Sequence, residues 1–276
     1  MSRRTLVFIF GYIVLVLIAI SMLFPFVAMV NLAFTPENQI FSEAGKIFHS
    51  HLTFDNFKHV FSEIPITRYF LNSMAVALTT TLGQVIISAL AGYAFARLNF
   101  KYKEFWFLLI LITMMVPPQV NIIPLFFLMR EFHLVNTFPA LILPGLFGGF
   151  GVFLMRQYFL SLPKDLEDAA KMDGCNIFQM FFKVALPLAL PAVVTLSIFT
   201  FVTTWNSFIW PLIITNTESM RTLPVGLAIF KGSFREITLW GDLLACSVIC
   251  TIPVVVIFLL GKKYFLSDLL SGSVKE

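Results

Sequence analysis

The sequence predicts an all-α polytopic membrane protein. Of its 276 residues, 58% are hydrophobic and only 12% are charged. Mean hydropathy is +0.89, and runs without a charged residue recur along the chain. Soluble domains carry about a quarter charged residues, so this composition excludes an ordinary soluble enzyme. A bilayer core takes about 20 apolar helical residues. One domain over 1–276 is expected, with six spans near 5–34, 69–96, 105–129, 137–155, 184–212 and 243–261.

The first run follows a short basic start, Met1 to Arg4, and is too long for the apolar core of a cleaved secretory signal. It reads as an uncleaved span. The second carries Asn72, Ser73, Thr79, Thr80, Thr81, Gln84 and Ser88, and its Ser88, Gly92 and Ala96 form a small-xxx-small line suited to a close helix crossing. Pro117, Pro118 and Pro124 are expected to break the third run, and Pro139 and Pro144 the fourth. Thr200, Thr203, Thr204, Asn206 and Ser207 mark the fifth. Such uncharged polar groups either bond between helices or line a wet passage. Asn72, Gln84, Gln119, Asn121, Thr204 and Asn206 are the candidates for lining a passage.

Loop charge sets the orientation. Arg3, Arg4, Arg97, Lys101, Lys103, Arg156, Lys164, Lys171, Lys183, Lys262, Lys263 and Lys275 lie at one set of ends, 12 of the 19 basic residues. Positive residues stay inside, so both termini are expected in the cytoplasm. The outer segments are then 35–67 and 215–242, polar and aromatic, serving as connectors or as contact surfaces. A formal net charge of +4 is accounted for by these cytoplasmic ends, and nucleic acid is not expected as a partner.

Catalytic signatures are missing. The chain has no G-x-x-x-x-G-K-[ST], H-E-x-x-H or G-x-S-x-G motif. His49, His51 and His59 are spaced like a weak metal cluster but sit in a polar segment with few carboxylates, which favours solvated histidines. Cys175, Cys246 and Cys250 imply no disulfide framework. None of the six runs contains Asp, Glu, Lys, Arg or His, although ion-driven carriers keep such groups within their spans. Any driving force therefore has to come from another subunit.

The largest polar interruption with helical grammar runs from Leu162 to Pro191. Pro163, Asp165, Glu167 and Asp168 suit a helix start. Glu167 and Lys171 are spaced for an i,i+4 pair, and Leu166, Ala169, Ala170 and Asp173 share a face open to a second surface. Gly174 stops the helix. Asn176 and Gln179 then suit a new N-cap, with Phe178, Phe181, Phe182 and Ala185 on one face of a second helix.

Asp168, Ala169, Ala170, Gly174, Leu186 and Pro187 together resemble the EAA loop of permease subunits of binding-protein-dependent ABC importers. Asp168 departs from the usual Glu by one methylene, and Glu167 beside it is the alternative contact carboxylate. The stretches 91–101, 114–126, 205–212 and 239–276 are similar to the smaller permease of maltose-type carbohydrate importers. The resemblance implies a type I ABC importer permease fold with a cytoplasmic coupling loop over 161–183. It also implies that Glu167, Asp168, Ala169, Ala170 and Gly174 meet an ATPase, and that Ser271, Gly272, Ser273, Val274, Lys275 and Glu276 form a tail reaching the same subunit.

The implied partners are a second, homologous permease, two copies of a nucleotide-binding ATPase, an extracytoplasmic sugar-binding protein and the lipid bilayer. No cofactor is expected on this chain, ATP and Mg being held by the ATPase subunits, and the chain is expected not to be an enzyme. The expected function is ATP-driven import of a di- or oligosaccharide across a bacterial or archaeal cytoplasmic membrane. Two alternatives stay open: glycerol-3-phosphate or another polar solute as cargo, and a non-transport membrane assembly or scaffold protein.

Overall fold

The computed structural model describes residues 3–40, 52–233 and 239–273. His49, His51, Val274, Lys275 and Glu276 lie outside the described residues. Among those described, the regular structure is helical throughout.

Helix α1 (Arg3–Ala33) runs unbroken through Pro25, and a proline inside a membrane helix is tolerated where other groups satisfy the freed backbone. Two short helices follow, α2 (Glu37–Ile40) and α3 (Asp55–Glu63). The second continuous span is α4 (Ile66–Arg97).

The third span is broken. Helix α5 (Lys103–Met115) ends at Val116, with φ −85 and ψ 118, and Pro117 follows at φ −58 and ψ 131. Each precedes a proline, whose ring excludes the helical conformation from the residue before it. Two extended residues in a row turn the chain through 92° into a 3-10 turn (Pro118–Asn121) and α6 (Ile122–Glu131).

The fourth span bends by 43° between α7 (Phe138–Ile142) with its 3-10 extension and α8 (Gly149–Ser161). Pro139 lies in the first turn of α7 and does not break it, contrary to the sequence expectation, because an N–H missing there costs no helical bond.

The loop helices α9 (Lys164–Met172) and α10 (Ile177–Met180) lead into a π-turn (Phe181–Ala185), where Leu186 N bonds back to Phe181 O. Pro187 in α11 (Leu186–Leu188) cannot donate to a carbonyl one turn back, and the widened turn absorbs that loss. Pro191 then opens α12 (Leu190–Trp205), 75° from the preceding segment. The expected second amphipathic helix is thus a helix, a π-turn and a bend.

Helices α13 (Ile209–Ile214), α14 (Leu223–Ser233) and α15 (Trp240–Ser273) complete the chain. Among the described residues, three continuous helices and three bent pairs are long and apolar enough to cross a membrane. Helix α15 extends well past the expected end at 261 and takes in Ser271, Gly272 and Ser273, part of the expected tail.

The chain divides into two compact units. One joins Met1–Thr67 with Gly226–Pro253. Here the Asn56 amide donates to Ala33 O at 2.9 Å and Thr35 O at 2.8 Å. The Glu37 carboxylate accepts from Trp240 N at 2.9 Å and Gly241 N at 2.7 Å, satisfying N–H groups that the start of α15 leaves free. His59 Nδ1 lies 2.5 Å from Oδ2 of buried Asp242, with Glu63 Oε1 at 3.8 Å from its other ring nitrogen.

The other unit joins Arg68–Val225 with Val254–Glu276. Its helices α4 and α8 cross at close range. A Cβ on Gly92 would lie 2.6 Å from Met155 Cβ and 2.8 Å from Arg156 N; one on Gly151 would lie 2.3 Å from Ser88 Oγ. Small residues let backbones approach where lipid supplies no hydrophobic drive between helices. Around this crossing Tyr93, Met155, Phe159, Phe181 and Leu196 form a buried core.

Candidate functional site

Helix α9 starts after Pro163, at φ −58 and ψ 132, with Asp165 and Glu167 in its first turn, where negative charge meets the positive end of the helix dipole. Its end is fixed by two bonds, Gly174 N to Lys171 O and Cys175 N to Ala170 O, both 3.0 Å. This is the Schellman pattern, and it puts Gly174 at φ +78, a conformation that glycine adopts without penalty. Next, Asn176 Oδ1 accepts from Gln179 N at 2.8 Å while Asn176 N donates to Gln179 Oε1 at 2.9 Å. That reciprocal cap starts α10, so the turn between the two loop helices is held at both ends.

The adjacent carboxylates of α9 face different surroundings. Glu167 Oε1 lies 2.9 Å from Arg97 Nε, and the two side chains are 11% and 5% exposed. Arg97 Nη2 also donates to Leu162 O at 2.6 Å. Asp168 is exposed and pairs with Lys171 Nζ at 3.2 Å. The i,i+4 pair expected between Glu167 and Lys171 is therefore replaced: Arg97 supplies a cation on the dry side of α9, and Lys171 stays on the wet side. Ala170 is buried with Glu167, so it leaves the open face, on which Leu166, Asp168, Ala169, Met172 and Asp173 remain exposed. Exposed Ile177, Phe178 and Phe182 extend this surface beyond Gly174. Apolar side chains beside the Asp168 and Asp173 carboxylates suit docking to another protein.

The pathway candidates disperse. Asn72 is buried, and its amide donates to Ser219 O and Arg221 O, both at 2.9 Å, which commits it to holding the 218–222 turn. Tyr69 O–H at 3.2 Å from Glu218 and Leu223 N at 2.8 Å from Ser73 Oγ hold the same segment. Gln84 lies against Gly148 in the α4–α8 crossing. Thr204 is half-buried, and Asn206 is exposed with its amide bonded to Val202 O. Gln119 and Asn121 are exposed at the 92° break. Broken backbone at membrane depth is tolerated only against protein or water, so these two suit a passage or a partner surface.

Sequence reasoning missed Arg97 as a partner. Its signal is faint, a single cation closing the second apolar run. Nor did it find Arg156, which bonds both Glu104 oxygens at 3.0 and 3.1 Å, donates to Phe95 O and lies 4.0 Å over the Phe107 ring.

A family described as the binding-protein-dependent transport system inner membrane component matches residues 84–269. The chain belongs to that family. This permease is 37% identical to the arabinooligosaccharides transport system permease protein AraQ of Halalkalibacterium halodurans, over 94% of this chain and 93% of that protein. It is also 39% identical to the probable ABC transporter permease protein YurM of Bacillus subtilis, over 99% of this chain and 89% of that one. Among solved structures, a bacterial ABC transporter involved in the import of the acidic polysaccharide alginate contains a chain of the same fold. The TM-score is 0.84 at 23% identity, over 96% of the permease and 99% of that chain. The all-α, multi-pass permease fold follows, and the α9 loop falls within the matched family region.

Proposed function

We propose that the permease is one half of the membrane pathway of an ATP-driven saccharide importer. In this reading α9 is the helix through which two ATPase subunits move the spans. The observation that carries it is the two-sided character of α9, with Glu167 and Ala170 seated against the chain and Leu166, Asp168, Ala169 and Met172 open to a partner. ATP binding closes the ATPase pair, α9 follows, and the spans pass between inward- and outward-facing states. A homologous second permease completes the passage, and a binding protein delivers cargo at the face away from α9. In this reading both termini face the cytoplasm, an orientation that the excess of basic residues at that set of ends supports. The candidate tail, residues 271–276, is assigned to contact with the same ATPase.

Cargo is inferred from the relatives. They include permeases named for arabinooligosaccharides, lactose and trehalose, which favours a di- or oligosaccharide. One relative, 29% identical, is named for sn-glycerol-3-phosphate, and this keeps a phosphate-bearing cargo as the second reading. The six apolar runs of the sequence carry no cation to meet a phosphate, and the arginines of α4 and α8 lie at the ends of those runs.

The test is uptake of labelled arabinotriose, trehalose, lactose and glycerol-3-phosphate by cells expressing the full complex. The permease is used as wild type, as Gly174→Asp and as the Glu167→Lys, Asp168→Lys double variant. Both variants are expected to insert, to lose uptake and to retain less ATPase on purification. Unchanged uptake and unchanged ATPase association would make the loop a mere connector.

A further inference from the structure

Two successive turns of α4 hold the whole loop region. Tyr93 has ring centroids at 5.4 Å from Phe159, near the end of α8, and at 5.2 Å from Phe181 in the π-turn. Four residues on, Arg97 reaches Leu162 O just before α9 and Glu167 in its first turn. Lys103 Nζ, 3.1 Å from Leu98 O, secures the same end of α4. Arg97 also sits in the last turn of α4, where a cation is favoured by the helix dipole.

A dry pair and a wet pair respond differently to force. Separating charges that are 5% and 11% exposed leaves each without water to replace its partner. The Lys171–Asp168 pair, 58% and 68% exposed, can exchange its contact for solvent. The stiff attachment of α9 is therefore the one made to α4, an unbroken helix of 32 residues that crosses α8 at Gly92 and Ser88.

We infer that Arg97 is a positioning residue for transport: through Glu167 and Leu162 O it locks α9 to α4, so that displacement of α9 by the ATPase is passed to the second span. This rests on the importer reading above and adds the chain residue that carries the motion. Loss of the lock lets ATP turn over without moving cargo.

The complete complex, with its ATPase, second permease and binding protein, is reconstituted in liposomes. ATP hydrolysed per solute imported is measured, using whichever of the four labelled solutes the wild type takes up. Only complex purified intact through its ATPase is reconstituted, so unassembled subunits add nothing to this ratio and a merely structural role leaves it unchanged. Arg97→Gln and Glu167→Gln are each expected to raise it about tenfold, the usual scale of a coupling free energy. Arg97→Lys, which keeps the charge, is expected between wild type and Arg97→Gln. A wild-type ratio in both Gln variants overturns the inference, whatever their yield. Asp168→Lys serves as the control for the underlying reading. If it weakens ATPase association while the Gln variants keep a normal ratio, only the lock fails; if it changes nothing, α9 is not the docking helix.

Discussion

Glu167 and Asp168 are neighbours in sequence that differ in what their loss should do. Removing the carboxylate of Glu167 leaves Arg97 buried without its counter-charge, a change that costs about 3–5 kcal/mol in comparable buried pairs. Removing that of Asp168 breaks an exposed i,i+3 pair worth at most about 1 kcal/mol. Thermal unfolding of the purified permease in detergent should therefore show a marked drop in melting temperature for Glu167→Ala and little change for Asp168→Ala. Equal shifts would mean that the 2.9 Å contact between Glu167 and Arg97 is not formed in the folded protein. The spacing of charges along α9 suggested a Glu167–Lys171 pair, because sequence periodicity sees only partners on the same helix. Arg97, 70 residues earlier on another helix, was beyond its reach.

Among the elements, the α4–α8 crossing is the one most sensitive to size. A side chain at Gly92 meets Met155 Cβ and the backbone of Arg156, neither of which can swing away, whereas a side chain at Gly11 meets nothing within 4 Å. Gly92→Leu is expected to cost at least the 1–3 kcal/mol or so typical of overpacking, visible as lower yield and melting temperature. Gly11→Leu should leave both unchanged, and a stable Gly92→Leu protein would contradict the crossing. Half of this contact was legible beforehand, since Ser88, Gly92 and Ala96 announce a small-residue face. The facing Gly148 and Gly151 were not, because nothing in the sequence pairs one span with another. The breaks followed the same division. Pro117 and Pro118 signalled a break without its 92° angle, and Pro187 did not reveal that the chain would meet it with a π-turn.

At the scale of the molecule, composition and loop charge suggested a six-span fold and its orientation, and the native cysteines can test that orientation. Cys175 is partly exposed between α9 and α10, while Cys246 is buried and Cys250 half-buried within α15. A membrane-impermeant maleimide should label Cys175 in inside-out vesicles and not in intact cells or spheroplasts. Labelling from the outside would reverse the topology. The pathway was less legible than the topology, because Asn and Thr in an apolar run read alike whether they hold a turn, as Asn72 does, or face water.

The Glu37 cap on α15 joins groups more than 200 residues apart. A growing chain emerges from its N-terminal end, so Glu37 is made long before the two amides it accepts from. Asn56 is likewise made long before Gly241, the residue it packs against. The unit holding the first span therefore cannot complete these contacts until the start of α15 has been synthesised. A ribosome that stops after the fifth span leaves the opening segment of the protein without the contacts that finish it. Maturation of the unit that holds the first span is thus timed by synthesis of the first turn of α15.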